Sequence, residues 1–433
     1  MSEKKETQPY LPPDVKSLNT ALLVGIYNKR EEKQECEEHL DELERLCETF
    51  GLRAVGKVSC PIKRIDAGTY VGKGKLEDLI KMGQSLDADV ILFDDEISPQ
   101  QQRNLEGLFR KPVMDRTELI LEVFVRSART REARLQIELA KIQYQFPRLK
   151  RMWTHLSRQS ASGGAYLKGE GEKQLEIDKR LLKKRVQQLQ EEIEIIRSQR
   201  ETQRSARLRA GVPTFAIVGY TNAGKSTLLK ALTQADVLVE DKLFATLDTT
   251  TRKYMLPNRQ EILLIDTVGF IRKIPHTLVA SFRSTLEETV HTDILLHLID
   301  VSHPHAEAQA EATYHVLKEL KALDHPVITV LNKIDQCTDP GIVHRLRIKY
   351  PKTVQISALH KTGFDQLMEV MTYELSLMRK LVRLRIPQSH YALVSELLRE
   401  GRVISSEYEE NDVILVVEIP RRLEGKVLPF QFG

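Results

Sequence analysis

The sequence has few of the features that mark secreted or membrane proteins. It contains four cysteines, and no two of them have CxxC spacing, so it predicts neither a disulfide framework nor a zinc site. Its longest strictly apolar run is residues 413–417, far shorter than the roughly 20 residues that cross a bilayer. The first 14 residues are charged and contain prolines, unlike a secretory signal. We therefore expect a cytoplasmic protein without a transmembrane helix.

Net charge is low overall but unevenly distributed. The 433 residues carry a formal net charge of +4. Residues 126–210 contain 21 Lys and Arg against 10 Asp and Glu, which is a local net charge of +11 and leaves −7 for the rest. A basic block in an otherwise acidic protein is typical of a nucleic-acid partner. The alternative interpretation is a solvated helix face.

Composition and hydrophobic periodicity predict an α/β protein of several domains, since 433 residues exceed the roughly 150 typical of one domain. Strands alternate with helices before and after the basic block, which favours mainly parallel sheets. The predicted segments are a flexible tail (1–18), an N-terminal α/β subdomain (19–125), the basic block (126–210), a domain with a doubly wound parallel sheet (211–380) and a small α+β C-terminal domain (381–433).

The basic block predicts an antiparallel helical hairpin. Apolar residues recur at steps of four and three along two stretches, 135–146 and 182–196, as in the seam of a coiled coil. Between them, residues 147–171 include Pro147 and four glycines, so we expect a glycine-rich tip that is not helical. Two ordinary helices packed on the core remain an alternative.

A phosphate-binding loop follows a predicted strand at residues 215–218. The loop has the pattern GxxxxGKS and leads into a helical pattern, which is the context that such a loop requires. Its backbone N–H groups would approach phosphates, Lys225 would meet the β and γ oxygens, and the Ser226 hydroxyl could bind Mg²⁺. The predicted nucleotide-binding residues here are Gly219, Tyr220, Thr221, Asn222, Ala223, Gly224, Lys225 and Ser226.

Two further motifs predict that the base is guanine. The NKxD motif follows a predicted strand at 327–331, and its Asp335 could accept bonds from guanine N1–H and N2–H₂, whereas adenine has no donors there. The Lys333 stem could lie along the base. A second motif, of the SAx type, follows the strand at 354–356. These motifs comprise Asn332, Lys333, Ile334, Asp335, Ser357, Ala358 and Leu359.

Between these motifs, a DxxG sequence follows the predicted strand at 262–265. Asp266 would hold Mg²⁺ through water and the Gly269 N–H would contact the γ-phosphate, while Thr267 and Val268 complete the motif. We expect Lys225 and Gly269 to act directly on the transferred phosphate. The first switch is predicted at Phe244, Ala245, Thr246, Leu247 and Asp248.

Together with four segments outside them, these motifs resemble the HflX family of ribosome-associated GTPases. The resemblance covers about residues 20–380 and includes the segments GTYVGKGK (68–75), QQRNLE (101–106), ARTRE (128–132) and FATLD (244–248). It implies GTP as substrate, Ser226 and Thr246 as Mg²⁺ ligands, and a helical hairpin that binds the RNA of the large ribosomal subunit. The implied function is ribosome dissociation, rescue or assembly, and we expect a monomer.

Two sites depart from the usual family pattern. At the hairpin tip the family usually has a glycine-rich RGPGE[ST]xLE run. Here residues 167–176 read LKGEGEKQLE, which is acidic where the family is neutral or basic. In the first switch Thr249 stands where a proline commonly follows the aspartate, which we expect to loosen the loop.

Three functional questions stay open at the level of sequence. Phe270 occupies the position where many relatives place a water-orienting glutamine, so we expect slow hydrolysis that a bound partner accelerates. Asn222 resembles a residue that places K⁺ in potassium-activated GTPases, or is a turn asparagine. The glycine-rich stretch 68–75 could hold a second nucleotide or be an ordinary loop. It lacks the GxxxxGK[ST] arrangement of a phosphate-binding loop, and this favours the ordinary loop.

Two functional hypotheses follow. In the first, the protein is an enzyme that hydrolyses GTP on the ribosome. In the second, it is an RNA-binding assembly factor in which the basic hairpin binds the RNA and the nucleotide-binding domain is mainly an occupancy switch. Replacing Lys225 with alanine separates them, because only the enzyme would lose its function.

Overall fold

A computed structural model describes residues 18–148, 168–233, 243–244, 249–273, 288–350, 352–409, 411–420 and 423–432. The chain forms two compact units. The first comprises residues 1–196, 240–248 and 272–283, and the second comprises residues 197–239, 249–271 and 284–433. Each unit is built around its own parallel sheet.

The first unit contains a four-stranded, fully parallel sheet in the order β2-β1-β3-β4. Its strands are β1 (Thr20–Tyr27), β2 (Arg53–Pro61), β3 (Val90–Phe93) and β4 (Val113–Asp115). Its helices are α1 (Lys33–Phe50), α2 (Lys73–Ser85), α3 (Pro99–Phe109), α4 (Arg116–Ser127) and α5 (Arg131–Gln145). The predicted mainly parallel sheet is therefore confirmed.

Local sequence signals explain where several of these helices begin and end. Gly51 adopts a φ of 91° and ends α1, as a glycine past the last turn commonly does. Ser98 and Gln101 form a capping box at the start of α3. The sequence analysis missed α4, although the Asp115 carboxylate caps it by accepting from the Glu118 N–H at 2.9 Å. Helix α2 begins at Lys73, directly after its N-cap residue Gly72.

The two predicted apolar stripes of the basic block pack against each other. Helix α6 (Lys168–Ala210) contributes Leu189, which is fully buried among apolar residues of α5. Ion pairs join Arg131 to Glu192 and Arg185 to Glu138, so residue numbers rise along one helix as they fall along the other. The antiparallel hairpin is confirmed, and its predicted tip lies largely outside the described residues.

The C-terminal boundary of that tip was predicted wrongly. Gly169 and Gly171 lie inside α6, which begins at Lys168, so these glycines do not interrupt the helix. A glycine costs only about 1 kcal/mol in a helix interior, and elongation adds a hydrogen bond per residue. The Glu, Lys and Gln residues around these glycines favour that elongation.

The second unit contains a six-stranded sheet in the order β10-β9-β8-β5-β7-β6. Its strands are β5 (Thr214–Gly219), β6 (Thr250–Met255), β7 (Glu261–Asp266), β8 (Ile294–Asp300), β9 (Val327–Asn332) and β10 (Thr353–Gln355). Its helices are α7 (Lys225–Thr233), α8 (Ala306–Glu319), α9 (Pro340–Lys349) and α10 (Phe364–Leu377). Apolar clusters cover both sheet faces, one including α7 and α10 and the other including α8 and α9.

The sheet is parallel except for β6, which pairs with β7 in the antiparallel direction. The sequence analysis did not predict β6, because its polar, largely exposed residues lack the apolar run that marked the other strands. The carboxyl ends of β5, β7 and β9 carry the phosphate loop, Asp266 and Asn332 respectively. Ligands bind at this edge in open α/β sheets.

The C-terminal residues of the second unit form a separate antiparallel sheet in the order β11-β13-β12. Its elements are β11 (Arg379–Pro387), α11 (Tyr391–Glu400), β12 (Arg402–Glu409), β13 (Asp412–Pro420) and the short α12 (Glu424–Val427). One face of the sheet packs with α11 and α12 in its own apolar cluster. The predicted small α+β region is confirmed, apart from α12, which was not predicted.

Across the described part of the chain, no helix is both long enough and apolar enough to cross a membrane.

Candidate active site

The phosphate loop joins β5 to α7, and two of its glycines are required by close contacts. Gly219 has a φ of 152°, and a Cβ atom there would lie 2.3 Å from the Leu298 carbonyl oxygen. Gly224 has a φ of 94°, and a Cβ atom would lie 2.3 Å from Asn332 Nδ2. No other residue type fits these positions, so the loop can bring its backbone close to a phosphate.

The Lys225 side chain turns back over the loop and is buried. Its Nζ donates to the carbonyl oxygens of Tyr220 at 2.8 Å and of Gly219 at 3.2 Å. Burial lowers the pKa of Lys225 to about 8, and the nearby Asp266 carboxylate only partly offsets this. An ammonium group in such a setting gains a strong partner when an anionic phosphate enters.

Ser226 and Asp266 form the part of the site that suits Mg²⁺. Ser226 Oγ donates to Asp266 Oδ2 at 2.7 Å, so a hydroxyl and a buried carboxylate at the end of β7 meet beside the loop. Mg²⁺ prefers such oxygen donors together with substrate phosphates and water. The residues present therefore fit the ion, and Ser226 stays the predicted direct ligand. The other predicted ligand, Thr246, lies outside the described residues.

The DxxG segment is tied to the phosphate loop through the backbone. The Thr221 N–H donates to the Phe270 carbonyl at 2.7 Å, and the Phe270 N–H donates to the Gly219 carbonyl at 3.1 Å. Thr267 Oγ1 donates to the Ile217 carbonyl at 2.8 Å. Gly269 is packed so closely that a Cβ atom would lie 2.8 Å from Thr221 Cγ2. Val268 is also buried.

Asn332 connects the two ends of the candidate guanine site. Its Nδ2 donates to the Ala223 carbonyl at 2.8 Å, and its Oδ1 accepts from the Ala358 N–H at 2.9 Å. The asparagine of the NKxD motif thereby holds the phosphate loop and the SAx loop together. Ser357 adds a second local bond, since its Oγ accepts from the His360 N–H at 3.2 Å.

Lys333 forms an ion pair that the sequence analysis did not predict. It adopts a φ of 63°, and its Nζ lies 2.7 Å from Asp300 Oδ2 at the end of β8. Asp300 had no predicted role, although an acidic residue directly after the largely apolar stretch 294–299 was a signal that could have found it. Asp335 Oδ2 lies 3.6 Å from His360 Nε2, and Ile334 and the exposed Leu359 complete the predicted set.

The first switch falls mostly outside the described residues. Ala245, Thr246, Leu247 and Asp248 are among those not described. Phe244 is described and belongs to the first unit, where its buried ring meets the edge of Phe124 with 4.6 Å between ring centroids. The structure thus gathers the predicted residues of the four other motifs at one sheet edge of the second unit.

Comparisons with known proteins agree with this arrangement. Three family descriptions match consecutive parts of the chain: GTP-binding GTPase N-terminal (37–125), GTP-binding GTPase Middle Region (127–207) and 50S ribosome-binding GTPase (214–333). GTPase HflX of Chlamydia pneumoniae is 44% identical over 423 residues, covering 97% of this chain and 90% of its own. GTPase HflX of Escherichia coli K12 is 41% identical, covering 92% of this chain and 93% of its own.

A solved structure, the complex of SsGBP with GDP, is 25% identical and covers 82% of this chain and 98% of its own, with a TM-score of 0.46. The similarity to the curated relatives at 40% identity or more extends over nearly the whole chain. The chain therefore belongs to the HflX family of GTPases, and it is a GTP-binding, GTP-hydrolysing enzyme.

Proposed function

We propose that this protein is a GTP-driven factor that acts on the large ribosomal subunit, in ribosome dissociation, rescue or assembly. The observation that carries the proposal is the match of residues 214–333 to a 50S ribosome-binding GTPase family. The basic hairpin supports it. Arg180, Lys183 and Lys184 on α6 are exposed, and none has an ion-pair partner within the described residues. Such unpaired cations favour contact with phosphate groups of RNA.

The site residues supply most of what phosphoryl transfer needs. Loop amides, Lys225 and Mg²⁺ held by Ser226 and Thr246 would neutralise the developing charge, with Asp266 holding the ion through water. Asp335 would select guanine, and the Gly269 N–H would sense the γ-phosphate. The Phe270 side chain has no polar atom and is buried, so it cannot orient water. We therefore expect slow turnover by the isolated protein and faster turnover once a bound subunit orders the switches.

The test is GTP turnover by the purified protein with and without large ribosomal subunits, with Lys225→Ala as the blank. We expect a large stimulation by the subunits. Sedimentation of intact ribosomes mixed with the protein and GTP then shows whether subunits separate. Full-speed turnover without subunits would contradict the proposal. Co-sedimentation of Lys225→Ala without any stimulation of the unsubstituted protein would instead favour the RNA-binding assembly factor.

The role of Asn222 is tested in the same assay. Asn222 has a φ of 61°, a conformation that asparagine tolerates better than most residues and that suits a turn. If it also holds K⁺ beside the phosphates, turnover is faster in KCl than in NaCl at equal ionic strength. Equal rates would leave it a turn residue.

A further inference from the structure

Thr221 is a buried hydroxyl in the phosphate loop that forms no hydrogen bond within the described part of the chain. The residue is 6% exposed, and its Oγ1 has no partner. Leaving such a group unsatisfied costs about 1–3 kcal/mol, whereas valine has the same shape and avoids the cost. Because Thr221 lies within the phosphate loop, where a ligand can enter, its unpaired hydroxyl points to a polar partner that joins the site when the enzyme works.

The backbone and the methyl group of Thr221 are held from two sides. The Thr221 N–H bond to the Phe270 carbonyl ties its backbone to the end of the DxxG segment. A Cβ atom on Gly269 would lie 2.8 Å from Thr221 Cγ2 and 2.9 Å from Lys225 Nζ. The Thr221 methyl group and Lys225 Nζ therefore both lie beside Gly269, so the side chain that carries the hydroxyl stands next to the place expected for the γ-phosphate.

The reaction requires a polar group near that point. In GTP hydrolysis a water oxygen forms a bond to the γ-phosphorus, the bond from that phosphorus to the β–γ bridging oxygen breaks, and the water proton passes to the released phosphate. A threonine hydroxyl can accept a hydrogen bond from this water and so turn a lone pair of the water oxygen toward the γ-phosphorus. The hydroxyl is neither consumed nor ionised in this role.

We propose that the Thr221 hydroxyl orients the attacking water, the task that Phe270 cannot perform. The proposal concerns the bond-breaking step and holds whether or not ribosomal subunits stimulate the enzyme. The rival role is a direct bond from Thr221 to a γ-phosphate oxygen in the bound substrate, which would affect binding rather than the rate.

Two substitutions separate these roles. Thr221→Val removes the hydroxyl but keeps the methyl group that packs against Gly269, and Thr221→Ser does the reverse. Thr289→Val is the matched control, because Thr289 is also fully buried with an unpartnered Oγ1 among the described residues. It lies just before the amino end of β8, whereas the phosphate loop follows the carboxyl end of β5.

Single-turnover hydrolysis at saturating GTP gives the rate of the chemical step, and fluorescence titration gives the affinities for GDP and for a non-hydrolysable GTP analogue. We expect Thr221→Val to slow hydrolysis about 10²-fold with both affinities unchanged. Thr221→Ser should stay within about threefold of the unsubstituted rate, and Thr289→Val should match that rate.

The proposal is overturned if Thr221→Val hydrolyses GTP at the unsubstituted rate, or if Thr221→Ser is as slow as Thr221→Val. A loss of analogue affinity with an unchanged saturating rate would assign the hydroxyl to the bound phosphate instead. Equal slowing by Thr289→Val would also overturn it, because the slower rate would then follow from altered packing and not from a lost contact with the water.

Discussion

At the scale of single residues, several polar side chains of the candidate site bind other parts of the protein and thereby position the loops that would hold the nucleotide. Asn332 bridges the Ala223 carbonyl and the Ala358 N–H, so it positions two loops without being the residue expected to select the base. Lys333 is held by Asp300 in the same manner. Motif spacing predicted that these residues belong together, but the division of tasks among them depends on the contacts that each side chain makes.

The lowered pKa of Lys225 predicts that nucleotide binding is coupled to proton uptake. Because burial lowers its pKa to about 8, its amine is mostly neutral at about pH 9 and protonated at about pH 6.5. Nucleotide phosphates favour the charged amine, so GDP binding should take up most of one proton at about pH 9 and almost none from this group at about pH 6.5. Calorimetric titrations in two buffers of different ionisation enthalpy measure the uptake. Equal uptake at both pH values would contradict the lowered pKa.

At the scale of elements, the strands of the second unit combine site residues at their ends with a packed core along their length. Strand β8 lies between β5 and β9 and ends at Asp300, which holds Lys333. Its His297 is fully buried against the edge of Tyr314, with 5.0 Å between ring centroids. Neither ring nitrogen has a hydrogen-bond partner within the described residues.

His297 should make the protein less stable in acid. Burial, with a smaller contribution from Lys225, lowers its pKa from 6.5 to about 3. Between these values the unfolded chain binds more protons than the folded one, so the free energy of unfolding falls as the pH falls. The loss at about pH 5 is about 2 kcal/mol relative to neutral pH.

Urea unfolding of the unsubstituted protein and of His297→Leu at about pH 7.5 and pH 5 measures this loss. The variant should lose less stability on acidification by roughly that amount, since leucine does not titrate. If both proteins lose the same amount, His297 is not the group that responds.

At the scale of the whole molecule, charge is separated along the chain, with +11 in residues 126–210 and −7 elsewhere. The hairpin holds its shape through an apolar seam and through ion pairs such as Arg185 with Glu138. Some basic side chains of the hairpin are engaged in those ion pairs, whereas Lys183 and Lys184 are exposed and available to a polyanion.

The charge separation predicts how subunit binding responds to salt. Co-sedimentation with large subunits should weaken at least about tenfold between about 50 and 200 mM KCl, because phosphate contacts release counterions. The double variant Lys183→Glu, Lys184→Glu should bind more weakly and with a shallower salt dependence. A matched reversal on exposed lysines of the second unit, Lys318→Glu with Lys321→Glu, should bind normally. Equal losses in both variants would mean that binding follows net charge and not the hairpin.

Much of this protein was predictable from local sequence. GxxxxGKS, DxxG and NKxD each follow a buried strand, and the strands at 215–218, 262–265 and 327–331 appeared within about one residue of their predicted bounds. Apolar periodicity likewise predicted the pairing of the hairpin helices. These features depend on residues close together in the chain, whose spacing determines which side chains share a face.

The tertiary structure decided the features that depend on partners distant in sequence. Strand β6 has no apolar run of its own and forms by pairing with β7. Only folding brings Lys333 to Asp300 and packs the Thr221 methyl group beside Gly269. The same packing leaves the Thr221 hydroxyl without a hydrogen-bond partner among the described residues. Spacing along a chain records local geometry, whereas the partners of a buried polar group depend on how distant segments pack.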